Sequence, residues 1–85
     1  MSKTNTADQW LIERVEYLKS QGVDKFMCCT WNGNRWMRPV WRATAQGISK
    51  YANDMFRKYG EGVSVTVEYL DDKAMEFKSL TYYQA

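Results

Sequence analysis

The 85-residue chain predicts an α+β fold: two helices packed on one face of an antiparallel sheet of about four strands, in the order α-β-β-α-β-β. Three observations carry this expectation. Two amphipathic helical stretches end at glycines, Gly22 and Gly60, the residue type that best adopts a left-handed helix stop. Each is followed by two β-prone runs joined by turn residues, Asn32-Gly33 in one case and Asp71-Asp72-Lys73 in the other. Helices alternating with hairpins favour a two-layer arrangement, because each hairpin must bury one face and each helix one stripe. Residues 1–85 make one small domain, with 1–5 a flexible start.

The first helix is expected to start at Thr6, where Thr6-Ala7-Asp8-Gln9 fits a capping box, and to stop at Gly22. Leu11, Ile12, Val15 and Leu18 form its apolar stripe. Trp10 and Tyr17 lie together on a second face, where they widen the core contact or serve a partner; widening is the simpler expectation. Val23 to Trp31 reads as the first strand and Asn34 to Ala43 as the second, with Pro39 calling for an edge position or a bulge, since it has no N–H for a ladder. The second helix runs from about Ala45 to Tyr59 behind a Thr44 cap. Its stripe is Ile48, Tyr51, Ala52, Met55, Phe56 and Tyr59, and Ser49 falls on the polar side. Val63, Val65, Val67 and Tyr69 alternate with polar residues, the pattern of a half-buried antiparallel strand. A last strand runs from about Ala74 to Tyr83, where the apolar alternation shifts phase between Phe77 and Leu80, a sign of a bulge. The two helix starts and stops share an offset of 38 residues, Thr6 to Thr44 and Gly22 to Gly60, and the likeness goes little further.

The first hairpin is the most distinctive part of the chain. Residues 31–42 hold three of the four tryptophans, three arginines and no acid. A two-residue turn at Asn32-Gly33 and a four-residue loop both place Trp31 and Trp36 on one face. The opposite face then carries Phe26, Cys28, Met37 and, beyond the proline, Trp41. Trp36 and Trp41 are an odd number of positions apart, so they share a face only if Pro39 introduces a bulge. Both faces are apolar and helices cover only one, which leaves a surplus that marks a binding surface.

Composition narrows the function classes. A 45% hydrophobic and 26% charged chain is not a disordered one. Net charge is only +2, but residues 25–42 carry a local +4 and residues 61–78 a local −3, two opposed charges able to orient a partner. Cys28 and Cys29 are adjacent, so on a strand they point to opposite faces and read as structural thiols without a disulfide. Without a secretory signal pattern or a long apolar run, a cytoplasmic setting is expected and a membrane partner is not.

Histidine is absent, which removes the commonest general base and most zinc sites. Glu68, Asp71, Asp72 and Glu76 include a turn of the solvated kind, and Gly60-Glu61-Gly62 lacks the lysine of a phosphate-binding loop. No enzyme activity, cofactor or metal is therefore expected.

The expected function is non-covalent binding of another, larger protein, as an inhibitor or regulator. Trp31 and Trp36 would be anchors, Arg35, Arg38 and Arg42 charge contacts, and Trp10 and Tyr17 further candidates. Small phage-encoded inhibitors of host defence are one class of comparable size and make-up, an analogy of general character with no shared motif. The alternative is single-stranded nucleic-acid binding on the aromatic and arginine hairpin. A homodimer through a terminal edge strand is also open.

Overall fold

The computed structural model describes residues 7–84, and it has the expected element order and class. The elements are α1 (Gln9–Ser20), β1 (Phe26–Trp31), β2 (Val40–Arg42), α2 (Ala45–Tyr59), β3 (Ser64–Asp71) and β4 (Glu76–Gln84). The four strands form one antiparallel sheet in the order β2-β1-β3-β4. Cα extents of 36 × 26 × 14 Å fit a single helix layer on a single sheet, since a third layer would add roughly 10 Å. No helix among the described residues is long and apolar enough to cross a membrane.

The core lies between the helices and one face of the sheet. Phe26 and Cys28 of β1 and Val63, Val65 and Val67 at and along β3 are fully buried, against Leu11, Val15 and Leu18 of α1 and Ile48 and Ala52 of α2. Thr30 continues the inward row of β1. Its hydroxyl shares a 2.7 Å hydrogen bond with the Tyr51 hydroxyl of α2, so two polar groups enter the core as a satisfied pair.

Helix ends follow their chemistry, with one correction. Thr44 Oγ1 accepts from the Gly47 N–H at 2.9 Å, and Gly60, at φ 78°, closes α2 by donating to the Phe56 carbonyl at 2.8 Å. The expected Thr6 cap of α1 falls outside the described residues, as does the flexible start at 1–5. The helix begins at Gln9 behind Asp8, whose side chain makes no capping bond. Ser49 also departs from expectation: it is buried and hydrogen-bonds the Tyr83 hydroxyl, which joins α2 to β4.

The two edge strands share a device. In β4, Leu80 is the extra residue, since Val67 faces Thr81 while Glu68 already faces Ser79. The sequence pattern had placed this bulge correctly. In the first hairpin, Trp31 bridges Trp36, yet Cys28 faces Val40 and Met27 faces Trp41, so one residue is again absorbed, here between Trp36 and Val40 around Pro39. The strand expected over Asn34 to Ala43 is thus an isolated bridge, a proline-containing slip and three paired residues. Each α-β-β half supplies one central strand and one edge strand.

Candidate functional site

Helices cover the sheet face that holds Phe26, Cys28 and Thr30, and they leave the other uncovered. On the uncovered face β1 places Met27, Cys29 and Trp31, and β3 places Ser64, Thr66, Glu68 and Leu70. Register then assigns the edges. Trp41 faces Met27, Tyr82 faces Thr66 and Phe77 faces Leu70. Trp36 joins Trp31 through the bridge, their rings meeting edge to face at 5.5 Å.

This corrects the expectation for Trp41, which had been assigned to the Phe26 face. The slip around Pro39 gives it the parity of Trp36, so three tryptophans gather on one side. The bulge at Leu80 does the same for Phe77 and Tyr82, which are likewise five positions apart. Four aromatics, Trp41 on β2, Phe77 and Tyr82 on β4 and Trp36 at the isolated bridge, therefore stand on the uncovered face, all well exposed: Trp36 59%, Trp41 41%, Phe77 49% and Tyr82 56%. Between them β3 contributes only small or polar residues apart from Leu70 while β1 contributes Met27, Cys29 and Trp31, so the floor between the two aromatic margins is mixed.

The loop that presents Trp36 has four residues. Asn32 Oδ1 accepts from the N–H groups of Asn34 at 2.9 Å and Arg35 at 3.0 Å, and the Asn32 N–H donates to the Arg35 carbonyl at 3.2 Å. The Asn32 side chain organises this turn, so the two-residue alternative is not used. Gly33, at φ 98°, lies against Gly62, whose added Cβ would sit 3.7 Å from the Gly33 Cα, so the hairpin tip rests on the α2–β3 turn.

The arginines divide. Arg35 and Arg38 are exposed in the hairpin loop and the proline slip. Arg42 is not brought to the tryptophans. It faces Phe26 in register, passes Gly47 and lays its guanidinium over the Tyr51 ring at 5.4 Å on the helix side. Arg42 is thus a strut between β2 and α2. Trp10 and Tyr17 do not widen the core either, at 50% and 53% exposed, and they sit on α1, across the molecule from the uncovered sheet face. Tyr17 packs with Arg14, 5.4 Å from its ring, and lines a cavity of about 330 Å³ between the end of α1 and the β3–β4 turn. In that turn Asp71 pairs with Lys78 at 2.7 Å, which holds its carboxyl below the usual range with help from the Ala74 and Lys73 N–H groups.

The basic and acidic stretches do not form separate poles. β1 lies directly beside β3, and Lys25 and Asp72 line one cleft. The sequence reading missed Phe77 and Tyr82 as members of the face. Their signal was the phase shift in β4, whose consequence for facing appears only once β3 provides a partner register.

The thiols take opposite faces, as adjacency on a strand requires. Burial pushes the Cys28 thiol up to about 11, opposed by the Arg42 guanidinium and reinforced by Cys29. Partial burial, and then Glu68, raise Cys29 from its ordinary value. At neutral pH a thiol near 11 holds roughly 100-fold less thiolate than one at 9.0. Iodoacetamide at pH 7.5 is therefore expected to modify Cys29 slowly and Cys28 only on unfolding, which peptide mass mapping with and without urea reads directly. Rapid modification of Cys28 in the folded protein would contradict the burial assignment. Among the described residues no cluster of His, Cys, Asp or Glu is placed to hold a metal ion.

Comparison of the chain with protein-family models, with curated proteins and with solved structures finds no match.

Proposed function

We propose that this protein is a non-enzymatic binding domain that docks a larger protein on its uncovered sheet face and acts on that protein as an inhibitor or regulator. One observation carries the reading: the slip around Pro39 and the bulge in β4 bring Trp36, Trp41, Phe77 and Tyr82 together on the side that no helix covers. A domain of this size gains by burying such residues internally, and here four remain accessible on one surface. Tryptophan and tyrosine are the residue types that dominate binding hot spots, because they bury large area at little rotamer entropy while keeping a polar atom. Arg35 and Arg38 supply charge at the border, the place where it guides association and excludes wrong partners. The setting is a reducing cytoplasm, in keeping with two unpaired cysteines.

The test is affinity capture from cells with mass spectrometry, run with and without nuclease, using the wild type, Trp36→Ala and Tyr82→Ala. Each substitution is expected to weaken the captured complex tenfold or more, by about 1.4 kcal/mol or above, with little change in thermal stability. Specific capture that survives both substitutions would move the docking surface elsewhere. Capture abolished by nuclease, with binding to oligonucleotide that falls steeply with salt, would establish the nucleic-acid alternative instead. Self-association has a free edge in β4, but the bulge at Leu80 and the charge of Lys78 interrupt it in the way edge strands avoid pairing.

A further inference from the structure

We infer that the partner inserts an arginine or lysine side chain onto the uncovered face, where Glu68 is its counter-charge; this rests on the docking reading above. Three carboxylates among the described residues are partly withdrawn from water: Asp54, Glu68 and Asp71. Asp54 is paired with Lys50 at 2.9 Å and with Arg57 at 3.1 Å, and Asp71 with Lys78 at 2.7 Å. With the other described residues Glu68 makes neither an ion pair nor a side-chain hydrogen bond. A carboxylate that has lost part of its hydration without gaining a partner is unfavourable, and a bound cation removes that penalty.

Its position adds to the argument. Glu68 is central on β3, between Met27 of β1 and Ser79 of β4. Across Met27 stands Trp41, whose ring already has the Lys25 ammonium 4.7 Å from its centroid. A row that joins an aromatic ring, a thioether and an unpaired carboxylate matches a side chain with an apolar stem and a cationic head. The aromatic margins contact the apolar part of the partner, and Glu68 selects the charge. A phosphate backbone laid on the same floor would meet this carboxylate at its centre, so the charge arrangement favours a protein segment over a nucleic acid.

The experiment pans a phage-displayed dodecapeptide library on the full chain and measures the selected peptides by tryptophan fluorescence. They are titrated against wild type, Glu68→Gln, Trp36→Ala and Tyr82→Ala, with Glu68→Thr as a second, strand-compatible variant at the same position. Selected peptides are expected to share one Arg or Lys. Glu68→Gln should weaken them about tenfold or more, and alanine at the shared peptide position should have little further effect on that variant. Binding that needs Trp36 and Tyr82 but is unchanged in both Glu68 variants overturns this inference and leaves the docking face standing. Selected peptides indifferent to Trp36 and Tyr82, or none selected, remove both. An oligothymidylate that quenches the tryptophans and binds tighter to Glu68→Gln overturns it in favour of nucleic acid.

Discussion

Phe26→Ala is expected to lower stability by about 3–5 kcal/mol, the cost of truncating a fully enclosed phenylalanine. Phe26 has no exposed surface and stands at the start of β1, where its ring meets Tyr69 of β3 edge to face at a centroid distance of 6.3 Å. Its removal opens a void in the core shared by both helices, on a central strand that pairs with β2 on one side and β3 on the other. The whole stability of an 85-residue domain is about 4–13 kcal/mol, so the loss is a large fraction of it. Urea unfolding followed by circular dichroism measures this as a large fall in midpoint. The comparison is Phe77→Ala on the uncovered face, where half the ring is already in water and the cost should stay below about 1 kcal/mol. Equal costs at the two positions would mean that the assignment of covered and uncovered faces is wrong.

The second large effect is at the buried hydroxyl pair. Thr30→Val keeps the shape of the side chain but leaves the Tyr51 hydroxyl without its 2.7 Å partner, in a residue only 6% exposed. An orphaned buried hydroxyl costs about 1–3 kcal/mol. Tyr51→Phe removes the other partner, and the double variant Thr30→Val/Tyr51→Phe should be more stable than the sum of the two singles predicts, because no polar atom is left unpaired. The pair joins β1 to α2, so the cycle measures how firmly the helix layer is seated on the sheet. Strict additivity in the double-mutant cycle would show that the two hydroxyls do not depend on each other.

Much of the fold was legible locally. The alternation of Val63, Val65, Val67 and Tyr69 with Ser64, Thr66 and Glu68 specifies which side of β3 is buried, whatever its neighbours. Thr44 and Gly60 bound α2 through bonds made within a few residues. Ser49 was misjudged because its partner, Tyr83, lies 34 positions away on another element. For Trp10 and Tyr17 it was the wider-core expectation that failed: their helical spacing permits a wider core face, but α1 buries only Leu11, Val15 and Leu18.

The candidate site was half legible. Trp31 and Trp36 share a face for either loop length, and that conclusion needed no third dimension. Trp41 needed one. A proline in a β-prone run permits a bulge without requiring it, and a one-residue slip reverses every later side chain. The pairing of β2 with β1 decided the matter, because Cys28 facing Val40 leaves Met27 facing Trp41. Arg42 was drawn away from its sequence neighbours by the same parity, toward Tyr51.

The sequence by itself determined the element order, the two helices with the Thr44 cap and Gly60 stop of α2, the core side of β3, and the surplus of aromatic surface over what one core can enclose. Those properties follow from local periodicity and turn chemistry. Tertiary structure decided that three tryptophans, Phe77 and Tyr82 share one uncovered face with Glu68. Residues on four strands become neighbours only through register, and register is set by hydrogen bonds between segments distant in the chain.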